Sequence, residues 1–190
     1  MTRYEFLLFV HIACAAIWVG GAFTFQIYGW NLLRVGDPRQ IAEFAGHAGK
    51  VGERLFAPTA IVVVLAGIGL MLDGDWPWGR LWVIWALVAF AGTFLMGLLV
   101  IGPTAKKLPE VGPTTPEGQE VIRKIFTHLR VDLVFLFSII FAMTVKPTFD
   151  DGWVVAIAAL VIVGLVGFFE YQSRNVKLAE APAQESPAEA

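Results

Sequence analysis

Five long apolar runs divide this chain of 190 residues, and they constrain its fold more than any other feature. They lie at about residues 5–29, 55–72, 80–104, 123–146 and 152–170. A hydrocarbon core takes roughly 20 helical residues to cross, with a range of about 17 to 25. Each run meets that length. In lipid every backbone polar group must find its partner inside the protein, so a spanning run of this kind has to be a helix. The expectation is therefore an all-α fold, a polytopic transmembrane bundle of five membrane-spanning helices. The composition agrees, with 57% hydrophobic residues, 16% charged residues and a mean hydropathy of +0.67. A soluble domain is about a quarter charged. No basic face suggests nucleic acid. Cys14 is the single cysteine, so no intrachain disulfide can form.

The first run is too long for a secretory signal, and His11 and Trp18 interrupt it. It reads as a retained helix. Orientation follows the basic residues. Arg34, Arg39, Lys50, Arg54, Lys106, Lys107, Arg123, Lys124, Arg130, Arg174 and Lys177 fall on one side, and only Arg3, Arg80 and Lys146 on the other. The N-terminus is expected outside and the C-terminus in the cytoplasm. Trp76, Trp78 and Trp82 then form an outer aromatic belt, and Trp30 anchors the inner end of the first helix.

Pro38–Arg54 is amphipathic, with Ile41, Phe44, Ala48, Val51 and Leu55 at helical spacing. It is expected to be an interfacial helix over about 38–54, along the inner surface or running straight into the second span. Gly102–Glu120 reads mostly as a cytoplasmic loop whose first residues close the third span. Residues 1–172 form the transmembrane domain, and 173–190, ending in "AEAPAQESPAEA", read as a disordered cytoplasmic tail. Ala16, Gly20 and Thr24 make a small-residue ridge suited to close helix packing, and a candidate homodimer surface.

The polar residues inside the spans carry the functional question. His11, Ala15, Trp18, Ala22 and Gln26 share one stripe of the first helix. An imidazole in hydrocarbon needs a partner, so this stripe should face the bundle. On the fourth span His128 and Asp132 stand four apart, close enough for the carboxylate to orient the imidazole. The competing reading places His128 or Asp132 in an ion cluster with Arg123, Lys124 or Arg54. His47 lies on the polar stripe of the amphipathic segment, where solvation accounts for it. With opposite helix directions, His11 and His128 differ in depth by roughly 20 Å and cannot share a metal. Partners for His11 must come from outer helix ends. Met71 and Met143 are candidate second ligands, and Arg80 and Lys146 are placed to neutralise haem propionates. Ordinary packing competes for both methionines. An inner site would combine His128 with His47. There is no P-loop, zinc spacing, serine elbow or facing carboxylate pair.

"HIACAAIWVGG", "LFAPTAIVVVLAGIGLML", the outer tryptophan loop leading through "RLW", and "TVKP" closing the fourth span resemble a group of small bacterial membrane proteins. That group includes copper-resistance-D-like proteins and HemJ-type membrane protoporphyrinogen oxidases. The nearest likeness is a branch of predicted integral membrane proteins with a domain of unknown function. The resemblance covers about Phe6–Pro147. It implies a multi-pass protein of the bacterial inner membrane, with haem b on the helix-one histidine, here His11. It also implies a basic residue opening the third span, where Arg80 stands although lysine is usual. HemJ-type proteins carry a further histidine along that span, and "IWALVAFAGTF" has none. Two other readings stand beside haem binding. One is a cofactor-free transport or complex-assembly protein, and the other is copper handling through His11, Met71 and Met143.

Overall fold

In the computed structural model the backbone is described for residues 1–175 and the side chains for residues 1–171. The expected tail at 173–190 lies almost wholly outside the described residues. Helix α1 spans Arg3–Val35 without a break. Thr2 opens it with a reciprocal cap: its hydroxyl accepts the Glu5 N–H, and the Glu5 carboxylate accepts the Thr2 N–H. Gly36 closes it in the left-handed conformation, φ 78°. Helix α2 covers Pro38–Val51 and is capped by Asp37. A π-helical turn, Gly52–Phe56, carries it directly into α3, Ala57–Asp73. The same device recurs further on. Helix α4, Leu81–Met96, passes through a π turn at Gly97–Ile101 into α5, Gly102–Val111.

Both π turns sit just before a proline, Pro58 and Pro103. A proline in a helix lacks its N–H and clashes with the carbonyl four residues back. Widening that turn, with the Ala57 N–H bonding Gly52 O and the Gly102 N–H bonding Gly97 O, lets each helix continue. The stretch 38–54 runs straight into the second span, one of the two placements expected for it: α2 buries Ile41, Phe44 and Ala45 and begins a continuous helix over Pro38–Asp73. Most of the segment after the third span is helix α5 rather than loop.

Thr115 caps α6, Pro116–Val145, and Lys146 ends it. Helix α7, Gly152–Asn175, follows. Five of these helical stretches, taking α2–α3 and α4–α5 as one each, are long and apolar enough to cross a membrane. The fold is all-α, and the large apolar side chains left on its outside, among them Leu65, Val88, Leu99 and Leu160, match lipid contact.

Helix α1 packs along α3, α4 along α6, and α7 lies chiefly on α6. The core has three storeys. At the basic end, Leu32, Ile41, Phe44, Leu108, Ile125 and Phe126 pack together. In the middle, Trp18, Ala60, Val63 and Leu136 meet, with Phe90 edge-on to Trp18. At the end carrying the N-terminus, Met71, Trp82 and Val83 pack with Trp76 and Met143. Asp73 at the end of α3 pairs with Arg3 and ties the two helices there.

Within the chain, the small-residue ridge on α1 is not a packing seam. Ala16, Gly20 and Thr24 are exposed, and nothing lies within 4 Å of a side chain added at Gly20. The other glycines take that part. A Cβ on Gly21 would stand 2.6 Å from the Phe56 ring, and one on Gly29 would stand 2.6 Å from Phe126. Small residues permit close approach, but they do not say which neighbour arrives.

Candidate functional site

The helix-one stripe faces inward as the sequence requires. Trp18 is buried, and Ala15 and Ala22 pack on the middle storey. His11 is half-buried, and its Nδ1 lies 2.8 Å from the Val63 carbonyl oxygen on α3. A carbonyl only accepts, so Nδ1 carries the proton and donates it. In the neutral tautomer that makes this bond, the lone pair is on Nε2. A backbone carbonyl fixing the far nitrogen is the usual support of a metal-binding histidine. The close approach needs Gly67, one turn after Val63: a Cβ there would stand 3.2 Å from His11 Cε1. Gln26, at the other end of the stripe, has a buried side-chain oxygen without a hydrogen-bond partner.

Four of the five residues expected around an outer cofactor gather in one place, at the end of the bundle that carries the N-terminus. Met71 and Met143 pack against Trp82 and Val83. Trp76 and Trp82 meet edge to face, with centroids 5.9 Å apart. The Lys146 ammonium stands 4.7 Å from the Trp76 ring centre and 5.2 Å from that of Trp82. Arg80 covers Trp76 at 4.9 Å. Local backbone makes this possible. Lys146 takes the left-handed conformation, φ 52°, after the last turn of α6, and Pro147 behind it is fully buried. Trp76 folds over Gly74, where a Cβ would stand 2.5 Å from the indole. The expected belt is thus only partly a belt: Trp78 is exposed, while Trp82 turns into the core with its Nε1 unpartnered.

His11 stands apart from this cluster. It touches α3 at Val63 and Gly67, and Met71 lies a further turn along, a rise of about 6 Å. The structure packs both methionines in the tryptophan cluster.

The inner polar residues receive separate partners. His128 Nδ1 donates to the Lys124 carbonyl of its own helix, at 2.7 Å. The buried Asp132 carboxyl turns to α4, beside Thr93. Its Oδ1 is buried without a partner. Asp132 therefore does not orient His128, and the expected ion cluster with Arg123, Lys124 or Arg54 does not form; Arg123 and Lys124 pair with Glu120. His47 is exposed on α2. Thr93 was not legible as a neighbour, since a lone threonine in an apolar run carries no sign of the helix it will face. Among the described residues no three His, Cys, Asp or Glu side chains are grouped to hold a metal ion.

Haem b, the group the resemblance implies, can be tested against these residues. His11 would offer its Nε2 to the group, and Arg80 and Lys146 are cations at the end of the bundle that carries the N-terminus.

Five apolar spans around a packed interior define a multi-pass α-helical integral membrane protein. The family described as "Predicted integral membrane protein (DUF2269)" matches residues 5–147, and the chain belongs to it. Searches of the curated proteins and of the solved structures find no match.

Proposed function

We propose that the protein holds haem b through His11 for a redox or haem-handling role. The observation that supports this reading is the Nδ1 bond to Val63, which leaves Nε2 as the free nitrogen of an imidazole inside the bundle. A relationship to the copper-resistance-D-like and HemJ-type proteins belongs to the same reading. So does placement in the bacterial cytoplasmic membrane, N-terminus outside, from the asymmetry of basic residues. Haem would supply one-electron chemistry when bound. The chain's own part is to fix the tautomer of His11 through Val63 and to offer Arg80 and Lys146 to carboxylates at the outer end.

The contact of His11 with Gly67 favours a second reading, a cofactor-free transport or assembly protein in which the imidazole ties α1 to α3. Copper handling through His11, Met71 and Met143 has less support, because only the two methionines share a cluster.

One absorbance experiment separates them. Purified wild-type protein, expressed with added haem precursor, should show a Soret band. His11→Ala should remove it, and His11→Gln should not restore it, because an amide is a poor iron ligand. Under the second reading the wild type is colourless and His11→Gln is tolerated. His11→Ala then costs on the order of 1 kcal/mol, the scale of one interhelical hydrogen bond in a membrane.

A further inference from the structure

Helix α7 leans on α6 while α1 flanks the same helix from the other side, and a cleft of about 1040 Å³ opens between them. Its floor is α6 around Phe137, and its walls are Ile27 and Trp30 of α1 and Ile157 and Val161 of α7. All five side chains are exposed in the protein alone. The cleft runs with the helices, hence across the thickness of the bilayer. Nearly all of it is aliphatic or aromatic, which suits acyl chain.

One end differs. Arg34, in the last turn of α1, lines the cleft at the basic face, with its guanidinium 5.0 Å from the Trp30 ring centre. Among the described residues no carboxylate pairs with Arg34. Tryptophan and arginine at this depth lie at the level of lipid headgroups. Gln26 stands two turns deeper on the same helix, about 12 Å from Arg34 along the axis. Arg34 is therefore at the interface, and the walls are apolar apart from Gln26, Ser138 and Arg130 of α6, a second basic residue in the lining.

We propose that this cleft is a binding site for an anionic phospholipid of the leaflet on the Arg34 side, with its phosphate at Arg34 and an acyl chain between α1 and α7. Charge selects this occupant over a partner helix: a helix lying here would have to bring a carboxylate to Arg34, whereas an anionic headgroup meets it at its own depth. The site is independent of His11 and of haem.

The test uses the full chain in nanodiscs of equal parts phosphatidylglycerol and phosphatidylcholine, followed by detergent washing and mass spectrometry of retained lipid. Wild type should retain phosphatidylglycerol over phosphatidylcholine by about fivefold, the effect of one basic residue near an anionic lipid. Arg34→Gln should fall to parity, and Arg34→Lys should keep the preference. A photo-crosslinking amino acid at Ile157 should capture phosphatidylglycerol. Parity in the wild type, an undiminished preference in Arg34→Gln, loss of the preference in Arg34→Lys, or cross-links from position 157 to a second copy of the chain would each overturn the proposal.

Discussion

Lys146 is one of two non-glycine residues at positive φ among the described residues, and the only one whose side chain does visible work there. The left-handed conformation costs an L-residue roughly 1–2 kcal/mol. The return is contact of the ammonium with Trp76 and Trp82, about 0.5–1 kcal/mol for an exposed cation–π pair. Two substitutions separate these terms. Lys146→Gly loses the aromatic contact but relieves the backbone, so thermal unfolding in detergent should change little. Lys146→Ala loses the contact without relief and should be about 1 kcal/mol less stable than Lys146→Gly. Equal stability of the two would mean that the left-handed turn is free of strain. At this scale the sequence was legible in part. The inward stripe of His11, Trp18 and Gln26 could be read because a polar group in an apolar run has to turn away from lipid. The partners could not. Val63 offers a backbone carbonyl, which every residue has, and His128 satisfies itself on the carbonyl one turn back.

At the scale of elements, spans were readable because lipid demands length and apolarity together. The inner ends were harder, since a helix that leaves the hydrocarbon carries the alternation of a soluble one. Helix α2 carries that alternation, and it meets the bundle through Phe44, stacked on Phe126. Its start is fixed by Asp37, whose carboxylate accepts the Arg39 N–H at 2.9 Å and is also bonded by the Gln40 side chain. The Arg39 bond, ahead of a smaller opposing effect of desolvation, holds the Asp37 carboxyl below the usual carboxylate range. A pKa lowered on folding contributes stability that is complete above the unfolded value, about 3.9, and is lost as pH falls through the folded value. The first turn of α2 should therefore loosen only in strong acid. In a micelle spectrum the Arg39 amide shift should titrate below about pH 4. Asp37→Asn, which keeps a capping oxygen, should abolish that titration. An Arg39 amide that titrates identically in the variant would place the proton elsewhere.

For the whole molecule, the orientation rests on eleven basic residues against three. It is checked by alkaline phosphatase fusions, since that enzyme is active only outside. A fusion after Lys177 should be inactive, and one after Asp150, in the turn between α6 and α7, should be active. The reverse pattern would invert the depth of every residue named here. The way α7 is attached also bears on how the chain is made. No residue in its most apolar window is buried, its principal partner α6 precedes it in sequence, and the family match ends at residue 147, before it begins. During synthesis the other four spans have left the ribosome before α7 does, and its docking surface is already complete. Helix α1 has the opposite history, because it must wait in the membrane for α3 to supply Val63 and Gly67 before His11 finds its bond.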